Sequence, residues 1–153
     1  NGYSLARKIV FEVLGLSVDD EIPGLDRSVA DALMAVHRSY LPALRDHLVG
    51  ERIHALAHVT GGGIPGNVGR SLGEGRGARV RRGSWDIPPL FRALQEAGGV
   101  EEEEMFRVFN MGVGMVVVTP PEHADGLMED LNEAGEECWI LGEVVAGDGV
   151  ELV

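Results

Sequence analysis

The stretch His58-Val59-Thr60-Gly61-Gly62-Gly63-Ile64-Pro65 runs an apolar segment into three consecutive glycines and a proline. It reads as a strand, a loop of bare backbone and a helix start. Upstream, Ile53, Ala55, Ala57 and Val59 alternate with His54, Leu56 and His58, the period-two pattern of a strand with two different faces. Three adjacent glycines carry no side chain to block a ligand, and their access to positive φ lets successive N–H groups converge on one anion. Pro65 can open a helix whose positive end adds to that field, so a phosphate is the natural guest. A flexible turn with no ligand is the plain alternative.

On the N-terminal side, Ser4 can cap a helix in which Leu5, Ile9 and Val13, with Ala6, Val10 and Leu14, recur at helical spacing until Gly15 stops it. Asp19 to Gly24 is a polar connection. A second helical pattern begins near Ser28 with Val29, Leu33 and Val36 on one face; a third begins at Pro42, continues through Leu44 and Leu48, and closes at Gly50. Beyond the glycines, Asn67 to Leu72 is helical, Gly73 to Gly77 turns, and Ala78 to Arg82 is a strand. Pro88-Pro89 introduces a helix with Leu90, Phe91 and Leu94 inward, ended by Gly98-Gly99.

Glu101 to Glu104 place four acids in the first turn of the next helix, where the dipole favours them; a solvated face explains them without a metal. Met105, Phe106 and Phe109 supply its buried side. Met115 to Thr119 is the most apolar strand and is expected at the centre of the sheet. Pro120-Pro121 ends it, and Ala124, Leu127, Met128 and Leu131 mark a helix that stops at Gly135. Trp139 to Leu141 with Val144-Val145 reads as a strand, which Gly147-Asp148-Gly149 turns into a final edge strand, Val150 to Val153. Strands alternating with helices predict one α/β (α+β) domain over residues 1–153, a mixed sheet of about four to five strands covered by helices.

Twenty-five acidic against thirteen basic residues give a net charge of -12, which argues against a nucleic-acid surface. An acidic domain that binds an anion must do so with local N–H groups and a few placed cations. The single cysteine, Cys138, cannot pair within the chain and suits a reducing compartment. No apolar run is long enough to span a bilayer, and no charged-then-apolar leader precedes Asn1. A soluble cytoplasmic protein is expected. The start at Asn1 without methionine suggests a fragment or a processed chain.

His54 and His58 point the same way on a strand but stand roughly 13 Å apart, too far to share an ion, and no cysteine or carboxylate cluster joins them. No metal site is therefore expected. His58 ends its strand beside the glycine loop, where it can transfer a proton or hydrogen-bond a phosphate, or can be simply a packed or capping histidine. Gly112-Val113-Gly114 begins like a dinucleotide fingerprint but lacks the third glycine and precedes its strand. No glycine-lysine-serine or glycine-lysine-threonine run marks a triphosphate loop, and no serine elbow occurs.

Three segments in this order and spacing, Asn1-Gly2-Tyr3-Ser4-Leu5-Ala6-Arg7, Ala57 to Pro65, and Phe109-Asn110-Met111-Gly112-Val113-Gly114-Met115, closely resemble the C-terminal domain of the phosphoribosylformylglycinamidine cyclo-ligase (aminoimidazole ribonucleotide synthetase) family. Gly83-Ser84-Trp85, Pro88-Pro89, Gln95 to Gly98 and Gly142-Glu143-Val144 extend the resemblance over essentially the whole chain. It implies ATP-dependent closure of formylglycinamidine ribonucleotide to aminoimidazole ribonucleotide in purine biosynthesis. It also implies a two-domain homodimeric enzyme, of which this is the substrate-binding half, with ATP and magnesium held mainly by an N-terminal domain absent here.

Within such an enzyme Thr60, Gly61, Gly62 and Gly63 are expected to hold the ribonucleotide phosphate, and His58 and Asn110 to position the reacting amide or the transferring phosphoryl group. Asn1 and Gly2 lie at the interdomain cleft. Val36-His37-Arg38-Ser39-Tyr40-Leu41-Pro42 departs from the relatives' proline-threonine-arginine-isoleucine-tyrosine-valine-lysine: Arg38 and Tyr40 match, the lysine does not. Arg38 can still pair with a phosphate or a carboxylate. The rivals are a related ATP-dependent enzyme, such as thiamine-monophosphate kinase or selenophosphate synthetase, and a stand-alone module that binds a phosphorylated metabolite and catalyses nothing.

Overall fold

A computed structural model describes residues 2–153. Gly2, at φ 78°, caps helix α1 (Tyr3–Arg7), and its carbonyl accepts from the Ala6 amide at 2.9 Å. Glycine adopts that left-handed turn without the Cβ penalty, so the helix starts one residue before Ser4, and Ser4 is not the cap. The helix continues as a π-helical segment, Lys8–Val13, in which the Leu14 amide donates to the Ile9 carbonyl at 2.9 Å; Ile9 and Val10 are buried and Gly15 turns the chain away at φ 66°. The next helix, α2 (Val29–Leu33), is capped by Ser28, whose Oγ accepts from the Asp31 amide at 3.1 Å. It ends three residues before Val36, which is 95% exposed, so Val36 does not join Val29 on the buried face. Pro42 sits in the first turn of α3 (Leu41–Leu44), whose buried residues are Ala43 and Leu44; Leu48 lies beyond it, exposed.

The remaining elements are β1 (Ala55–His58), α4 (Gly63–Leu72), β2 (Arg76–Val80), α5 (Pro89–Gly98), α6 (Glu102–Val108), β3 (Met115–Val118), α7 (Pro121–Glu133), β4 (Gly142–Ala146) and β5 (Val150–Leu152). They bear out the α/β (α+β) class, but the strands form two sheets. In one, β1 and β3 pair antiparallel with Ala55 opposite Val118 and His58 opposite Met115. In the other, β2 lies between β4, antiparallel to it, and β5, parallel to it.

Two expectations change with this topology. The continuous apolar run of β3 does not mark the centre of a wide sheet. Its two faces serve two clusters: Met115 and Val117 group with Leu127 and Leu131 of α7, Val116 and Val118 group with Ala57, Ile64 and Val80, and all four strand residues stay half-buried. The Gly147-Asp148-Gly149 turn does lead into an edge strand, but β5 pairs with β2 and does not fold back on β4. It carries the chain across the end of β2, where the Asp148 carboxylate accepts from the Gly75 amide at 3.0 Å and a Cβ on Gly77 would stand 2.7 Å from the Gly149 carbonyl oxygen.

A third buried cluster joins Ile9 and Val10 to Leu94, Met105, Phe106, Phe109 and Met111, locking the N-terminal helix to α5 and α6. A cleft of about 1200 Å³ opens between β3, α7 and the segment Glu136 to Val144. No helix described here is long and apolar enough to cross a membrane.

Candidate functional site

The glycine loop joins β1 to α4, and its three glycines do different work. Gly62 caps α4 at φ 96°, exposed, with only ordinary contact distances around a hypothetical Cβ. Gly63, at φ 60°, is buried: a Cβ there would overlap the Phe106 carbonyl oxygen and stand 3.1 Å from that of Phe109. Its amide already donates to the Thr60 carbonyl at 3.0 Å. Gly63 is therefore a packing glycine and not an open wall of the cradle. The helix begins at Gly63, ahead of the expected Asn67, and Pro65 falls in the first turn, where a missing N–H leaves no bond unmade. Among the described residues the Gly61, Gly62 and Ile64 amides donate to no backbone carbonyl. These N–H groups are left without a backbone partner.

The sequence reading missed the residue that shapes this loop. Asn67 is 6% exposed, and its amide nitrogen donates to the carbonyls of Gly63 at 2.7 Å, Thr60 at 3.2 Å and Gly61 at 3.3 Å. Its oxygen accepts from Arg70 at 2.6 Å and from the Thr60 hydroxyl at 3.3 Å. Drawing the loop carbonyls inward to one side chain leaves the opposite side of the loop to its N–H groups. The signal was available: Asn67 falls between Ile64 and Val68 on the buried stripe of α4, where a polar residue must find partners.

Segments distant in the sequence meet at this loop. Gly2 abuts Phe109, since a Cβ on Gly2 would overlap its ring, and Phe109 leads into Asn110. The Asn110 side-chain oxygen accepts from the Gly112 amide at 3.1 Å, while its carbonyl accepts from Val113 at 3.0 Å. Met111 between them is buried at φ 53°, with its carbonyl taken by the Trp85 indole N–H at 2.8 Å. Gly112 and Gly114 are glycines for packing: a Cβ on the first would crowd Pro88 at 2.5 Å, and one on the second would overlap the Tyr40 hydroxyl. That accounts for the fingerprint-like spacing without a dinucleotide. Gly114 in turn accepts from the Val59 amide at 2.9 Å, which ties the Asn110 loop to the end of β1. Asn1 lies outside the described residues.

His58 is exposed, and its Nε2 lies 3.1 Å from Nε2 of His37. Tyr40 approaches the same ring edge-on, 6.4 Å between centroids. Arg38 does not reach into the loop; its guanidinium pairs with Glu136 at 2.8 Å and donates to the Gly135 carbonyl at 2.7 Å, at the end of α7. Of its two expected partners it takes the carboxylate. Burial, reinforced by the Glu136 carboxylate and opposed by Arg38, holds the Tyr40 phenol above its ordinary range. The fold thus favours the neutral phenol, a preference present below the free tyrosine range and lost as pH rises through the folded value. In an alkaline titration followed by tyrosinate absorbance, Tyr40→Phe should remove the upshifted tyrosinate step, and Glu136→Gln should move that step to lower pH.

The fold and loop define a class: an α+β domain that offers free backbone amides at a strand-to-helix turn, flanked by a histidine pair and an asparagine turn. The chain belongs to the AIR synthase related protein, C-terminal domain family, whose model matches residues 1–153. A phosphoribosylformylglycinamidine cyclo-ligase of Citrifermentans bemidjiense is 44% identical over 154 residues, covering 100% of this chain and 44% of that protein. The corresponding protein of Geobacillus kaustophilus is 48% identical over 152 residues, 99% of this chain and 44% of its own length. The chain therefore spans less than half the length of these curated relatives. Among solved structures, Escherichia coli HypE, a hydrogenase maturation protein, superposes on 97% of this chain and 42% of its own, with TM-score 0.60 and 20% identity. The tt0281 protein of Thermus thermophilus covers 99% of this chain and 45% of its own at TM-score 0.58 and 22% identity. These two share the fold.

Proposed function

We propose that this chain is the substrate-holding half of a phosphoribosylformylglycinamidine cyclo-ligase, which closes formylglycinamidine ribonucleotide to aminoimidazole ribonucleotide with ATP in cytoplasmic purine biosynthesis. The observation that carries the reading is the meeting of three separate segments, Gly2 against Phe109, Gly63 beneath Phe106 and Phe109, and Val59 on Gly114, at one exposed loop with unclaimed amides. The Gly61 and Gly62 amides at the start of α4 take the ribonucleotide phosphate, with Thr60 holding the loop's entry. His58 and Asn110 position the formyl amide, whose oxygen leaves as phosphate when the amidine nitrogen attacks its carbon and gives up a proton. Positioning and charge stabilisation are the main contributions of such a site.

Among the described residues no three histidine, cysteine or carboxylate side chains gather as a metal would require. No step is assigned to a metal on this chain. On this reading ATP and magnesium are held mainly by an N-terminal domain that completes the cleft, in a homodimeric enzyme.

Calorimetry on the 153-residue chain should find weak binding of the ribonucleotide and no binding of ATP; tight ATP binding would contradict the division of labour. Gly62→Ala keeps the space but strains the φ 96° turn, and should weaken ribonucleotide binding about tenfold, the worth of one charge-assisted hydrogen bond. Equal binding by wild type and Gly62→Ala would move the phosphate elsewhere. Joining the N-terminal half of the Geobacillus kaustophilus relative to this chain should restore ring closure. Binding without turnover in that fusion would favour the non-catalytic module.

A further inference from the structure

We infer that His37 is a positioning residue for His58: it fixes the His58 imidazole as the Nε2–H tautomer and leaves the Nδ1 lone pair for the substrate. This rests on the role proposed above for His58. The Nδ1 atom of His37 lies 2.7 Å from the Arg38 carbonyl oxygen, which has no proton to give, so His37 Nδ1 carries hydrogen and donates. A neutral imidazole holds one N–H, which makes His37 Nε2 a bare acceptor. The facing atom 3.1 Å away, His58 Nε2, must then be the donor. Neutral His58 has spent its only proton on His37, and its Nδ1 is left as a hydrogen-bond acceptor or proton-accepting base.

The arrangement is held from behind. The rings of His37 and His58 meet edge-to-face at 5.0 Å between centroids, and Tyr40 closes on His58 from the same segment. Arg38, next to His37, anchors that segment to Glu136 and Gly135 at the end of α7, with its guanidinium engaged by a carboxylate and a carbonyl. His37 is therefore presented to His58 by a backbone carbonyl on one side and an anchored neighbour on the other.

A bare Nδ1 suits the ring closure. As the amidine nitrogen forms its bond to the formyl carbon and the carbon–oxygen bond to the leaving phosphate breaks, the nitrogen must shed one proton. Nδ1 of His58 accepts it, giving an imidazolium that His37 Nε2 stabilises through the shared hydrogen. The opposite tautomer, with hydrogen on Nδ1, has no lone pair there.

The test has two arms. Nitrogen-15 correlation spectra of the histidine rings of the 153-residue chain, taken on the high-pH plateau where the ring nitrogen shifts no longer change, should show His58 with hydrogen on Nε2. His37→Ala should give a mixture of His58 tautomers, and His37→Gln, whose side-chain oxygen can accept the same hydrogen, should restore the wild-type state. Hydrogen on His58 Nδ1 in the wild type overturns the inference, as does a His37→Ala spectrum identical to wild type. In the fusion with the relative's N-terminal half, His37→Ala should lower kcat about tenfold at a KM within about twofold, with His37→Gln recovering most of the loss. If His58→Asn abolishes turnover while His37→Ala leaves it intact, the inference fails. If neither variant changes turnover, it is the catalytic reading of His58 that fails, and the tautomer result stands separately.

Discussion

Gly63→Ala is expected to destabilise the domain by about 3 kcal/mol or more and to lower its thermal midpoint by about 10 °C. Two costs add. The residue sits at φ 60°, where an L side chain costs about 1–2 kcal/mol, and the added methyl would overlap the Phe106 carbonyl oxygen. That oxygen belongs to the backbone of α6, which is pinned by Phe106 and Met105, 1% and 0% exposed, so the obstacle cannot rotate away. Relief requires α4 to lift from α6, and the lift opens the loop at Thr60 to Gly62. Gly62→Ala separates the two glycines: it adds a methyl with its nearest neighbour at 3.8 Å and should shift the midpoint by only a few degrees. Thermal denaturation of both variants decides the matter, and equal destabilisation would contradict the packing role given to Gly63.

Asn67→Leu should cost about 2–4 kcal/mol, although leucine is close in size and prefers helices. The substitution leaves the carbonyls of Thr60, Gly61 and Gly63 and the Arg70 guanidinium without their common partner, and a buried polar group stripped of its bond costs about 1–3 kcal/mol. The loss exceeds any helix-propensity gain, which is a few tenths of a kcal/mol. Asn67→Asp keeps the acceptor for Arg70 but sets a carboxylate against three carbonyl oxygens, so it should not rescue the loop. The loop itself should loosen before the core does. Hydrogen exchange at Gly63, whose amide is bonded to the Thr60 carbonyl, should quicken in Asn67→Leu while that of Ala57 and Val116 on the paired strands stays slow, and ribonucleotide binding should weaken with it.

Periodicity and punctuation made much of the fold legible. The strand into the glycine loop, the proline-opened helices α5 and α7, the acidic start of α6 and the two-sided apolar run of β3 each carry a local reason for their conformation. The failures have physical causes too. The five residues of α2 are too few to bring Val36 onto its buried face, and β4 and β5 are kept apart because β2 inserts between them. Strand order is a long-range choice that no local pattern encodes. In the site, His58, Asn110 and the glycines were visible as motifs, and Arg38 was visible as a cation without a known partner.

By itself the sequence determined the strand–glycine–helix unit and the family, because each depends on residue types at short spacing. Only the tertiary structure decided which glycine faces outward and which supports the helix. Gly62 and Gly63 are chemically identical neighbours, and what distinguishes them is the backbone of α6 lying against one and not the other. The same holds for His37: the proton it places on His58 follows from a carbonyl beside it and an imidazole brought from β1, a relation that exists only once the chain has folded.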